Sequence, residues 1–114
     1  MSKLIIGFLL FFIAQSLIWI QLNGQFVWPW FKKNPWIVSF SLGGFISYIL
    51  IMATRSVVEH FNGLLWPGRF IGFSSGIIVF AIFTYIFLNQ GITPKTLVSL
   101  VLAFSLICVQ LFWK

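Results

Sequence analysis

The stretch LIIGFLLFFIAQSLIWIQL, Leu4 to Leu22, decides the fold class. It holds no Asp, Glu, Lys, Arg or His, and it matches the roughly 20 apolar residues a helix needs to cross a bilayer core. Three further stretches share the property: WIVSFSLGGFISYILIMAT (Trp36 to Thr54), FIGFSSGIIVFAIFTYIFL (Phe70 to Leu88) and LVSLVLAFSLICVQLFW (Leu97 to Trp113). Unbroken apolar runs exclude a β-barrel, whose strands alternate apolar and polar residues. The expectation is an all-α membrane protein, a four-transmembrane-helix antiparallel bundle forming one domain over residues 1–114. Its spans fall at about 4–22, 36–54, 70–88 and 97–113.

Composition agrees. Hydrophobic residues make up 61% of the chain and charged residues 7%, with mean hydropathy +1.08. A soluble domain carries about a quarter charged residues. Disordered chains are poor in apolar groups. One cysteine, Cys108, cannot staple a secreted scaffold. Lys3 followed by Ala14-Gln15-Ser16 has the outline of a cleavable signal, but the apolar run continues through Ile20 and predicts a retained helix.

Asn23 to Pro35 and Asn89 to Lys95 read as short connections, the latter with Gly91 and Pro94 as breakers. The middle link, Arg55 to Arg69, reads as the longest and carries the only acid, Glu59, and the only histidine, His60. Within it, Arg55 and Glu59 are spaced to pair on a helical extension. An even span number places Lys3, Arg55, Arg69 and Lys114 on one membrane side and Lys32, Lys33 and Lys95 on the other. This near balance gives little orienting bias. Either one orientation is fixed by something else, or copies insert both ways and pair antiparallel. Basic residues scattered at helix ends suit lipid phosphates rather than nucleic acid.

Catalysis is not expected. One Glu and one His supply thin material for acid–base chemistry, ligands for a metal centre are too few, and no phosphate-binding glycine loop is present. No metal and no cofactor are expected.

Other features point to packing or binding. Gly68, Gly72 and Gly76 recur every four residues along the third span, on one helix face where a neighbouring backbone can approach. Gly43 belongs to a weaker version with Ser39 and Ser47. Intramolecular packing is the favoured reading; subunit pairing or substrate clearance is the alternative. Polar side chains inside a span are costly unless they face protein or water. Gln15, Trp19, Tyr48, Ser75 and Tyr85 are therefore the substrate-cavity candidates, with an interhelical hydrogen bond as the plainer role for Gln15. The segment FVWPWFKKNPW, Phe26 to Trp36, has the makings of an interfacial belt. Lys32, Lys33, Arg55 and Arg69 are candidates for anionic lipid headgroups.

In length and hydropathy nearly the whole chain resembles the small multidrug resistance family and other four-helix members of the drug/metabolite transporter superfamily. The likeness is most detailed in GFSSGIIVFAIFTYIFLNQGITPKTLVSLVLAFSLICVQLFWK, with Gly76 in the third helix, the Asn89-Gln90 turn, Pro94 and a small-residue fourth helix. IIGFLLFFIAQSLIWIQLNGQ is similar to the family's first helix. The resemblance implies a dimer, antiparallel in some members, that moves small organic solutes by alternating access in a bacterial inner membrane. It also exposes a departure: the glutamate of proton-coupled members is matched here by Gln15, which cannot exchange a proton. Transport of a solute other than a proton-exchanged cation is the leading expectation. A structural or accessory subunit of a larger membrane complex, and handling of a lipid-linked substrate, are the alternatives.

Overall fold

The computed structural model describes residues 2–113, and Lys114 lies outside the described residues. The elements are α1 (Lys3–Asn23), a single 3-10 turn (Gly24–Phe26), α2 (Pro29–Lys33), α3 (Pro35–His60), α4 (Leu65–Leu88) and α5 (Pro94–Phe112). Four helices, α1, α3, α4 and α5, are long and apolar enough to cross a membrane. No strand occurs among the described residues.

Local chemistry sets the ends. The Ser2 hydroxyl accepts from the Ile5 amide at 3.2 Å and caps α1. Pro35 and Pro94 open α3 and α5 in the first helical turn, where the missing N–H costs nothing. Thr93 caps α5 by accepting from the Thr96 amide at 3.2 Å. Asn89 ends α4 in the left-handed region at φ 58°.

The helices overrun the expected spans, and this corrects the reading of the middle link. Arg55, Glu59 and His60 belong to α3, and Arg69 lies inside α4, so only Phe61 to Leu64 connects the two. Asn62 (φ 58°) and Gly63 (φ 90°) reverse the chain there. The expected Arg55–Glu59 pair gives way to an ion pair between Glu59 and Lys3 of α1, 3.6 Å apart.

Helix α1 is the centre of the fold, packing on both α3 and α4. Ser56 donates to the Lys3 carbonyl at 2.6 Å, and Gln21 donates to the Ser39 carbonyl at 3.4 Å. These contacts at opposite ends set α1 and α3 in opposite directions. Along α4 the order is the reverse: Phe11 meets Gly72, Gln15 meets Gly76 and Trp19 meets Thr84, so α1 and α4 run the same way.

Phe11, Ala53, Val57 and Ile71 form the core cluster joining α1, α3 and α4. The closest approach is at Gly7, where a Cβ would be driven into the Val57 side chain and would lie 3.4 Å from the Ala53 carbonyl oxygen. Helix α5 packs chiefly on α4, and its buried residues are Ala103 and Ile107. Only 6% of its span is buried, against 33% for α4. That exposure is a liability in water and none in lipid.

Candidate functional site

The polar groups that the sequence places inside spans collect unevenly. Gln15, half-buried on α1, donates from Nε2 to the Gly72 carbonyl at 3.4 Å, a long bond. A Cβ on Gly76 would lie 3.0 Å from Gln15 Oε1, so the absent side chain at Gly76 makes room for the amide. One turn above, the Trp19 indole N–H donates to Thr84 Oγ1 at 3.0 Å in a buried pair whose members are 65 residues apart in sequence. Ser74 and Ser75 are buried on α4, and both hydroxyls donate to the Ile71 carbonyl at 2.9 Å. The α1–α4 seam therefore carries two cross-helix polar contacts, Gln15 with Gly72 and then Trp19 with Thr84.

Aromatic rings fix its upper end. Trp19 stacks on Phe87 with centroids 5.4 Å apart and meets Phe83 edge-on at 5.6 Å. Phe87 in turn contacts Trp28, and Trp28 contacts Phe31 of α2. Aromatic contacts of this kind are worth about 0.5–1.5 kcal/mol each. They tie the Trp28–Phe31 segment to the seam.

Of the five cavity candidates, Gln15 and Trp19 bond across the seam to α4, and Ser75 is buried on α4 with its hydroxyl on the Ile71 carbonyl. Tyr48 (65% exposed) and Tyr85 (61% exposed) stand on outward faces and take no part in the seam. The glycine stripe is shared between two neighbours: Gly72 faces Phe11 and Gly76 faces Gln15 on α1, while Gly68 faces Val57 and Val58 on α3. Gly43 faces the Gln21 amide at an ordinary 3.6 Å.

The headgroup candidates form two separate groups. Lys32 and Lys33 are exposed on α2 beyond the C-terminal end of α1. Arg55 and Arg69 are exposed at the opposite end, level with Lys3. Arg55 also borders an open apolar groove of about 460 Å³ with Leu50, Ile51, Thr54, Val58 and Leu65. No cluster of three metal-ligating side chains occurs among the described residues.

Sequence reasoning missed five residues that the structure brings into play. Gly7 stands alone without a partner four residues away, so no stripe marks it. Phe83 and Phe87 are indistinguishable in sequence from lipid-facing rings. Asn23 and Gln90 read as connection residues, yet both border a cleft of about 350 Å³ above Thr84, walled by Phe26, Phe80 and Leu88.

Compared with known proteins, the chain matches no family model, no curated protein and no solved structure.

Proposed function

We propose that the protein is a multi-pass membrane protein of the drug/metabolite transporter type, its spans forming an antiparallel bundle that works as a dimer in a bacterial inner membrane. It moves a small organic solute without proton exchange. The observation that carries this reading is Gln15: a half-buried amide deep in a span, seated against Gly76 and held to Gly72 by one long bond of 3.4 Å. A weakly committed amide in lipid surroundings is available to a passing ligand, since polar groups at that depth are costly and mark pathways. Glutamine offers hydrogen bonds and no titratable proton, so it suits a neutral solute and not a cation exchanged for protons. The test is flux into proteoliposomes across a panel of neutral and cationic solutes. Uptake of a neutral solute, abolished by Gln15→Leu, supports the proposal; no uptake of any member overturns it.

A second reading, an accessory subunit of a larger membrane complex, draws on a different observation. Every buried side-chain N or O among the described residues already has a hydrogen-bond partner, as in a packed structural element. A stoichiometric larger partner retained in mild detergent favours it over a lone dimer.

A further inference from the structure

We infer that the cleft between the C-terminal ends of α1 and α4 is a binding site for a neutral, compact aromatic or acyl compound bearing a carbonyl group. The cleft has about 350 Å³ and is lined by Asn23, Phe26, Phe80, Thr84, Leu88 and Gln90. That volume lies at the small end of ligand pockets, roughly 300–1,000 Å³. None of the lining residues is charged, and this disfavours an ion, which would leave water with no counter-charge.

The polar groups supply the specificity. Thr84 is only 8% exposed and accepts from the Trp19 indole. A hydroxyl also carries one proton to donate, and among the described residues that proton has no acceptor. Asn23 and Gln90 likewise make no side-chain hydrogen bond among the described residues; Gln90 is held by its backbone N–H, which donates to the Thr84 carbonyl at 3.3 Å. A buried O–H and two uncommitted amides therefore converge on a space walled by two phenyl rings and a leucine. A carbonyl oxygen accepts from the hydroxyl or an amide N–H, while the apolar body fills the space between Phe26 and Phe80.

Both helix ends lie on the membrane side that holds Lys32 and Lys33, so the cleft sits near the headgroup layer. The carbonyl could then belong to a free solute or to a lipid ester, and the two have the same chemistry. The site is independent of the transport reading, because binding is measurable without flux.

Benzophenone, a neutral aromatic ketone and photolabel, is the probe. The purified chain in nanodiscs is illuminated with benzophenone below saturation, and the labelled residues are mapped by mass spectrometry. The proposal expects labelling concentrated at Phe26 and within Phe80 to Leu88. Losing one neutral hydrogen bond, as in Thr84→Val or Gln90→Leu, lowers it about five-fold, and Thr84→Ser retains it. Gln90 lies exposed at the rim, so its variant reports even where Thr84→Val fails to fold. Discs of diester and diether phosphatidylcholine separate the two sources. Weaker labelling in diester discs identifies the lipid ester as a resident ligand, and equal labelling assigns the site to free solutes. Label spread over the outward faces of α3 and α5, unchanged by the Gln90 and Thr84 variants, overturns the proposal. So does equal labelling by the anionic 4-benzoylbenzoate.

Discussion

Gly7→Ala tests the packing on which the fold depends. The added Cβ falls against Val57, and it also lies 3.4 Å from the Ala53 carbonyl oxygen and the Val57 amide nitrogen. Ala53 and Val57 are both fully buried, so neither can move out of the way without separating α1 from α3. Overpacking of this kind costs about 1–3 kcal/mol, a shift of five-fold or more in the ratio of folded to unfolded protein. Gly44→Ala is the control, because nothing lies within 4 Å of a Cβ there. The assay is SDS-driven unfolding of the purified chain in mixed micelles, followed by far-UV circular dichroism. A second arm removes the obstacle: Val57→Ala takes away the methyl groups that the Gly7→Ala side chain strikes. The double variant is then more stable than the sum of the single losses by about 0.5–3 kcal/mol, the range for residues in contact. Gly7→Ala no more disruptive than Gly44→Ala, or strict additivity with Val57→Ala, refutes the close approach of α1 and α3.

The remaining predictions use the same preparation. Thr84→Val leaves the Trp19 N–H buried without a partner and costs about 1–3 kcal/mol, whereas Thr84→Ser keeps the acceptor and costs less; SDS midpoints give the order. Glu59→Gln changes stability by less than about 1 kcal/mol, because Lys3 and Glu59 are 61% and 44% exposed and exposed ion pairs contribute little. Midpoints at low and high salt check this. Gly72→Ala is costlier than Gly68→Ala, since its Cβ would meet the Phe11 ring at 3.1 Å while that of Gly68 meets valine methyls at 3.5 Å.

The spans were legible because lipid imposes a simple rule: a long apolar run must satisfy its own backbone, and a helix does so. Leu4 to Leu22 and Phe70 to Leu88 differ little from α1 and the body of α4. The link after Thr54 was misread for a related reason. Arg55, Glu59 and His60 break the apolar run, yet a helix gains by continuing through the headgroup layer, where charged side chains are solvated. Gln15 and Trp19 stand out in the sequence as polar groups inside a span, and the structure places both in bonds across the α1–α4 seam. Tyr48 and Tyr85 stood out equally and lie elsewhere, since helix orientation is set by packing and not by the polar residue alone. The cleft was invisible because its walls come from helix ends far apart in the chain, and Gly7 depends on what faces it.

Transport through the proposed route requires Gln15 to meet water in the working protein. In a Cys108→Ser background, Gln15→Cys and Ile13→Cys are each treated with a membrane-impermeant, water-soluble methanethiosulfonate reagent. Such a reagent attacks the thiolate, and a thiol in apolar surroundings stays inert. Ile13 is 50% exposed on an outward face and reports lipid. Rapid modification of Gln15→Cys with Ile13→Cys inert is the predicted result. Two equally inert thiols contradict the account and identify the seam as a sealed packing interface.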